Sequence, residues 1–217
     1  SVFGEEARTA IADYRDVIRK LKQETIPNEQ LVERYRARLA SLEEIVRREN
    51  LITMPDRAAV IRLGTEAESA RIPAPHVSPP RLIGNTGEPA EFVLPLENPS
   101  AKPGSVMDDF NYDAITWSLT AHEARPGHEL QFAKMTENGA STARAVFAFN
   151  SANVEGWALY AEALMKQYYP LEGQLGALQF RLMRAVRAFL DPMLNLGMIT
   201  PEQALEFMLR EVVLSEP

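Results

Sequence analysis

Apolar residues recur at three- and four-residue steps over much of the chain, and this spacing is typical of amphipathic helices. In residues 1–50 it predicts two helices separated by a break at Pro27. The apolar positions are Ala7, Ile11, Tyr14, Ile18 and Leu21 in the first helix and Leu31, Tyr35, Leu42 and Val46 in the second. Neither stripe lasts three heptads, so a coiled coil is not expected. We therefore predict an N-terminal helical hairpin packed on a larger core.

The pattern changes in residues 51–104, which contain more than half of the 15 prolines of the chain. Two short apolar runs, at residues 59–63 and 92–96, predict strands joined by loops. Because Pro95 cannot donate to a β-ladder, the second strand is expected at a sheet edge. An edge strand beside an active site can bind an extended peptide through main-chain hydrogen bonds, although a purely structural flap fits the same pattern. His76 is expected in a loop.

Helical spacing returns in the second half of the chain. A helix is predicted over residues 171–191, and Pro192 should end or kink it. A capping-box spacing at Thr200 opens a final helix. The apolar stripe of the 171–191 helix consists of Leu175, Leu178, Leu182, Val186 and Leu190. Together these elements predict a mainly α (α+β) fold with a few short strands in the proline-rich segment.

Composition narrows the class of protein. The 217 residues are 46% apolar and 24% charged, which suffices for one sizeable core. A net charge of −7 without a basic stripe argues against nucleic acid and anionic membranes as partners. No apolar run approaches the roughly 20 residues of a membrane span, and no signal peptide is visible. With no cysteine, disulfides and thiolate ligands are excluded. A start at Ser1 predicts a processed or excised piece.

The most concentrated chemical signal is T-A-H-E-A-R-P-G-H-E-L-Q-F at residues 120–132. It holds two of the three histidines, His122 and His128, each followed by a glutamate. A zinc hydrolase can obtain two neutral nitrogen ligands and a general base from such a segment. Two packed, hydrogen-bonded histidines would look similar. Glu123 favours the metal, because a carboxylate at an apolar helix end is costly to bury without a cation.

The spacing of the two histidines requires a broken helix. Six residues separate them, so a regular helix would point their side chains about 120° apart. Pro126 lacks the helical N–H, and Gly127 can adopt the positive φ that ends a helix. We therefore expect a helix over residues 112–124, a tight turn, and a new helix from His128. The residues that could cap the first helix are Asp108, Asp109 and Asn111.

A third metal ligand is expected from a following helix. Glu155 and Glu162 share one face of a helix predicted from Asn150 onward, and they lie about 10.5 Å apart along its axis, so one ion cannot bind both. We assign Glu155 as the third ligand. Glu162 would either orient a ligand or face solvent. The expected core stripe of this helix is Trp157, Ala161, Leu164 and Tyr168.

Four further residues are candidates for roles around the metal. Arg187 is expected to form a surface ion pair with Asp191, four residues on. If that face meets the metal, Arg184 or Arg187 could instead clamp a substrate carboxylate. Tyr160 and Tyr112 are candidate donors to a developing oxyanion, on the ground of proximity in the sequence.

Two motifs in this order, H-E-A-R-P-G-H-E-L-Q at residues 122–131 and V-E-G-W-A-L-Y-A-E at residues 154–162, resemble the bacterial family known as domain of unknown function 885 (DUF885). The resemblance runs from about residue 50 to the end. Members of the family look like zinc peptidases of the gluzincin type. It therefore implies a zincin-like helical catalytic domain over residues 51–217, Zn²⁺ on His122, His128 and Glu155, and Glu123 as base. Relatives often carry export signals, which favours an extracytoplasmic location.

This chain departs from the family at three places. Glu129 follows His128 where members often carry a second histidine, and Asn195 stands where members have the histidine of an Asp-x-x-x-His pattern. Members usually continue into a Pro-Gly-Gln segment with an active-site tyrosine, so the chain is expected to be a catalytic fragment. Neither substitution touches the proposed ligands.

These observations predict a zinc-dependent peptidase. Zinc with three protein ligands keeps a fourth position for water and lowers the pKa of that water towards about 7. Glu123 would accept its proton and pass it to the leaving amine. The alternatives are a metal-dependent hydrolase of non-peptide amides or esters, a metal-binding domain without catalysis, and a helical scaffold without metal. Peptides are the expected substrates.

Overall fold

The computed structural model describes residues 14–96, 109–147 and 150–215. These residues are mainly helical with one small sheet, so the predicted mainly α (α+β) class is confirmed. The helices are α1 (residues 14–21), α2 (Asn28–Arg48), α3 (Glu66–Arg71), α4 (Ile115–Glu123), α5 (His128–Asn138), α6 (Ser151–Met165), α7 (Leu171–Asn195) and α8 (Pro201–Phe207). The strands are β1 (Val60–Leu63), β2 (His76–Ser78) and β3 (Glu91–Leu94). Single turns of other helix types occupy Ala143–Phe147, Lys166–Tyr168 and Met208–Val212.

The sheet has the strand order β1-β3-β2, with β1 parallel and β2 antiparallel to β3. The edge position predicted for the run at residues 92–96 is therefore wrong, because β3 is central. The strand ends at Leu94, so Pro95 lies outside the ladder and removes no hydrogen bond from it. The loop predicted for His76 is also wrong, since His76 begins the edge strand β2. Helix α3 was not predicted, although Thr65 and Glu68 form its capping box.

Helix α4 is the central element, and it packs against α2, α6 and α7. All but one of its nine residues are buried. It begins at Ile115, three residues later than predicted, and no side chain caps it. Asp109 was expected as a cap, but its carboxylate instead pairs with Lys22 and accepts from the Ser215 amide. Asp108 lies outside the described residues.

The stripe predicted for α2 is confirmed, because its core-facing residues are buried. They are Leu31, Tyr35, Leu42 and Val46. Tyr35 meets Phe92 of β3 edge to face at 5.3 Å between ring centroids, and both belong to a cluster that includes residues of α4. In α1, Ile18 is buried, whereas Ala7 and Ile11 lie outside the described residues. The N-terminal helices thus share a core with the rest of the chain.

Helix α7 packs through small residues, and the leucine stripe predicted for it is partly wrong. Leu178 is 44% exposed, whereas Gly173, Gly176 and Ala177 are buried. A Cβ on Gly173 would lie 2.9 Å from Cδ1 of Trp117 in α4. Because α7 approaches α4 closely, the face of α7 that is buried is the one that carries these small residues. Val186 and Leu190 are buried as expected.

Pro192 does not end α7, so the first of the two predicted outcomes, an end or a kink, is wrong. The helix continues to Asn195, one turn beyond it. Both Pro192 and Ala188, whose carbonyl loses its helical donor, are exposed. Water can satisfy that carbonyl, so the helix tolerates the proline. The capping box predicted at Thr200 is confirmed.

The packing of α7 generates a paired stability prediction. Gly173→Ala should lower the free energy of unfolding by about 1–3 kcal/mol, because the new methyl group collides with Trp117. Gly156→Ala in α6 should raise it by up to about 1 kcal/mol, because a Cβ there meets nothing within 4 Å. Urea denaturation of both variants tests this. Equal effects at the two glycines would contradict the assigned packing.

Candidate metal centre

The predicted break separates the two histidines, but its physical reason differs from the one expected. Helix α4 ends at Glu123 and α5 begins at His128, with a cis Arg125–Pro126 peptide between them. Gly127 has φ −77°, so the positive φ predicted for it is wrong. A Cβ on Gly127 would lie only 1.8 Å from the His122 carbonyl oxygen. Glycine is therefore required here for close backbone approach.

A side chain of α6 fastens this turn. The indole Nε1–H of Trp157 donates to the carbonyl oxygens of Pro126 at 3.0 Å and Gly127 at 3.1 Å. Trp157 was expected to be a core residue, and it is half-buried. Its hydrogen bonds join the turn directly to the helix that carries Glu155.

The three predicted ligands converge. Nε2 of His122 lies 3.4 Å from Oε2 of Glu155, and Nε2 of His128 lies 3.7 Å from Oε1 of the same carboxylate. All three ligand atoms lie within 4.8 Å of one another, so the group could hold a metal ion. Tetrahedral ligands at bonds of about 2.0–2.1 Å are about 3.4 Å apart, so the residues fit a zinc-sized ion. Both histidines are buried, whereas the Glu155 side chain is 58% exposed and leaves one side open.

Glu123 adjoins this group. Its Oε1 lies 3.8 Å from Nε2 of His122, and its side chain is only 12% exposed. Burial raises the pKa of Glu123 to about 7, partly opposed by the charge of His122 and by a hydrogen bond from the Val77 backbone amide. Val77 belongs to β2, which is an edge strand of the sheet formed by the described residues.

Glu162 is buried and contacts His122 from behind, which decides between the two roles that the sequence left open. Its Oε1 lies 2.5 Å from Nδ1 of His122, and its Oε2 accepts from Ser118 Oγ at 2.9 Å. Arg184 holds the same carboxylate with two hydrogen bonds, of 2.7 and 3.1 Å. A carboxylate that accepts the Nδ1 proton orients Nε2 towards the other candidate ligands and makes Nε2 a stronger metal ligand.

The two histidines have opposite pKa shifts. Burial lowers the pKa of His122, but Glu155 and Glu162 outweigh burial and raise it to about 9. For His128, burial and the neighbouring His122 charge lower the pKa to about 4. At neutral pH without metal, one histidine is therefore charged and the other is neutral.

Sequence reasoning missed Arg125, which is 1% exposed and lies inside the break. Its guanidinium binds both oxygens of Glu129, at 2.5 and 3.2 Å, and donates to Glu43 at 2.8 Å and to the Arg57 carbonyl at 2.6 Å. Glu129 is fully buried, so this departure from the family pattern is an internal ion pair. The opposite charges four residues apart were a signal for it.

The remaining candidates are not brought to the ligands. In the described part of the chain Arg187 and Asp191 form no ion pair, and Asp191 Oδ1 accepts from Asn195 at 3.4 Å. The Tyr112 hydroxyl donates to Gln179 Oε1 at 2.8 Å inside the core. Tyr160 is 57% exposed and lies about 140° around α6 from Glu155. Its assignment as an oxyanion donor stays a prediction.

The family model described as "Bacterial protein of unknown function (DUF885)" matches residues 2–217. The chain belongs to this family. The resemblance predicted from the two motifs is confirmed to that extent, and the match also covers residues 2–49. No protein with a curated description matches the sequence.

Two solved structures share the fold. One is "a putative lipoprotein of unknown function" from Shewanella oneidensis, 25% identical with a TM-score of 0.75; the match covers 97% of this chain and 37% of that protein. The other is "the putative lipoprotein" from Colwellia psychrerythraea, 24% identical with a TM-score of 0.72, covering 91% and 34%. This chain thus spans little more than a third of their length. Among the described helices of this DUF885 chain, none is long and apolar enough to cross a membrane.

The contact between Glu162 and His122 generates the first prediction for the site. Above about pH 9, where His122 carries no competing proton, Glu162→Gln should weaken Zn²⁺ binding about 10- to 100-fold, because the amide supports the ligand less well than the carboxylate. Competition with a chelator of known affinity measures this. Glu33→Gln, an exposed change on α2, is the matched control and should leave the affinity unchanged. An unaltered affinity in Glu162→Gln would contradict the assigned role.

The raised pKa of His122 generates a pH prediction. Below about pH 9 the ring is protonated, and a metal must displace that proton. Zn²⁺ affinity should therefore rise about tenfold per pH unit from pH 7 and level off near pH 9. In Glu162→Gln the plateau should move to lower pH, because one stabilising charge is gone. Chelator competition across pH 6–10 measures both curves, and a flat wild-type curve would contradict the charge assignment.

Proposed function

We propose that this chain is the catalytic domain of a zinc-dependent peptidase. The observation that supports this most is the convergence of two imidazole nitrogens and one carboxylate within 4.8 Å of one another, with a second carboxylate 3.8 Å from one of those nitrogens. His122, His128 and Glu155 would hold the ion. A bound Zn²⁺ would polarise the scissile carbonyl and make its water ligand acidic near neutral pH.

Glu123 acts as the base in this proposal. Its pKa of about 7 lets it accept a proton from water and return it to the leaving amine at neutral pH. The surrounding burial excludes bulk water from the carboxylate, whose side chain is only 12% exposed. Glu162 holds His122 in one tautomer, and Arg184 holds Glu162. Arg184 thus contacts Glu162, Glu162 contacts His122, and the His122 ring lies 3.8 Å from the Glu123 carboxylate.

The free edge of β2 supports peptides over other acyl substrates. Against the burial that raises it, the Val77 backbone amide lowers the pKa of Glu123, and Val77 belongs to the edge strand β2, so this strand lies beside the candidate base. An extended peptide could add to this edge by main-chain hydrogen bonds and bring a carbonyl to the ligand group. The sequence located such an edge in the wrong strand, and β2 supplies it. Small amides and esters remain the alternative substrates, because the same base serves any acyl carbon.

The location of the protein is also part of the proposal. Both similar solved structures are described as lipoproteins, a class anchored outside the cytoplasm. We infer an extracytoplasmic location for this chain. A peptidase there would meet peptides rather than folded cytoplasmic proteins.

The role of Glu123 is tested by Glu123→Gln. The variant should lose about 10²- to 10⁴-fold in turnover, because the amide cannot accept the proton, while keeping its metal content. Quenched fluorescent peptides report turnover, and elemental analysis reports zinc. Glu44→Gln, an exposed change on α2, is the control and should keep both.

Two results would oppose the proposal. Unchanged turnover in Glu123→Gln would remove Glu123 as the base. Hydrolysis of small esters and amides, together with no cleavage in a peptide library, would favour the alternative substrate class.

A further inference from the structure

A cavity of about 450 Å³ lies between α6 and α7, next to the candidate metal centre. Glu162 lines it, and the same carboxylate contacts Nδ1 of His122. Small side chains of both helices, Ala163 and Ala185, line the cavity and leave room between the helices. The cavity therefore begins directly behind a metal ligand and is not used by the chemistry proposed above.

The cavity carries excess positive charge. Lys166, Arg181 and Arg184 line it, and Glu162 is the one acidic side chain among its described lining residues. Arg184 is neutralised, because both of its terminal nitrogens bind Glu162. Lys166 and Arg181 form no ion pair with any residue in the described ranges. Two uncompensated cations in one concave site are an arrangement that attracts an anion.

The position of the cavity fits a substrate that extends from the metal. Leu159, at the near end, lies about 6 Å along α6 from Glu155, and Lys166, at the far end, lies about 16 Å from it. An extended peptide advances about 3.3 Å per residue. A negative group up to about five residues from the scissile bond would therefore lie at the level of Lys166.

We propose that the Lys166–Arg181 cavity binds a carboxylate of the peptide substrate, so that the enzyme prefers peptides with a negative group up to about five residues from the cleaved bond. The inference rests on the proposed peptidase function for the identity of its ligand. Two sources share this chemistry, the C-terminal carboxylate of a short peptide and the side chain of Asp or Glu. Neither requires any movement of Arg184 from Glu162.

Binding of three peptides tests the proposal without relying on turnover. Each is an acetylated, otherwise uncharged hexapeptide with an uncharged fluorophore, ending in a free carboxylate, in an amide, or in an amide with one internal Glu. Fluorescence anisotropy at 4 °C, with peptide integrity checked by mass spectrometry, gives the affinities for the full chain with zinc added. At least one carboxylate peptide should bind about tenfold more tightly than the neutral amide, and added salt should reduce the difference. Which carboxylate peptide gains identifies the source.

A double variant separates the cavity from general charge effects. In Lys166→Gln/Arg181→Gln the preference should vanish, whereas Lys20→Gln/Arg36→Gln, two exposed changes of the same kind on α1 and α2, should retain it. Thermal denaturation confirms that both variants fold, as expected for residues without ion pairs. Equal or undetectable binding of the three peptides to the wild type, or a preference that survives in Lys166→Gln/Arg181→Gln, would overturn the inference.

The same samples keep this inference distinct from the proposed function. A carboxylate preference without hydrolysis of any peptide would support the cavity and oppose the peptidase. Hydrolysis of peptides without a carboxylate preference would support the peptidase and oppose the inference about the cavity.

Discussion

The site depends on one close backbone contact, the approach of Gly127 to the carbonyl of His122. Without it, α4 would have to continue or diverge, and two histidines six residues apart would point in different directions. A Cβ at residue 127 would lie 1.8 Å from that carbonyl oxygen, so no other residue fits the turn as it stands. Trp157 of α6 holds the turn by donating hydrogen bonds to the carbonyl oxygens of Pro126 and Gly127. One turn thus fixes the two histidines and the helix of the third ligand together.

Around this turn the chain buries an unusual density of charge. Arg125 and Glu129 form a pair that is almost entirely buried, and Glu162 with Arg184 forms another beside His122. Both pairs are bidentate and hydrogen-bonded further, which is the condition under which buried ions are tolerated. Glu123 is the exception, since its carboxylate is buried and, among the described residues, has no basic partner other than the His122 ring. A bound divalent cation would supply the missing positive charge.

The features that depend on residues close together in the sequence could be predicted from it. The helix break follows from Pro126 and Gly127, and the candidate ligand group follows from the spacing of two histidines and the face shared by Glu155 and Glu162. The errors lie where distant parts of the chain decide the outcome. Helix α7 buries Gly173 and Gly176 because it approaches α4 closely, and β3 is central because β1 and the unpredicted strand β2 pair with its two edges. Arg125 is a charged residue in a turn, and only the packing of α2 and of the segment before β1, which contains Arg57, makes it internal.

The central claim is that His122, His128 and Glu155 bind one ion between them. An anomalous difference map from crystals of protein purified without added zinc, with data collected on both sides of the zinc absorption edge, tests it most directly. The account predicts a single strong peak about 2 Å from Nε2 of both histidines and from a Glu155 oxygen. A map without a peak at this position, at a wavelength where zinc elsewhere would be visible, would contradict it.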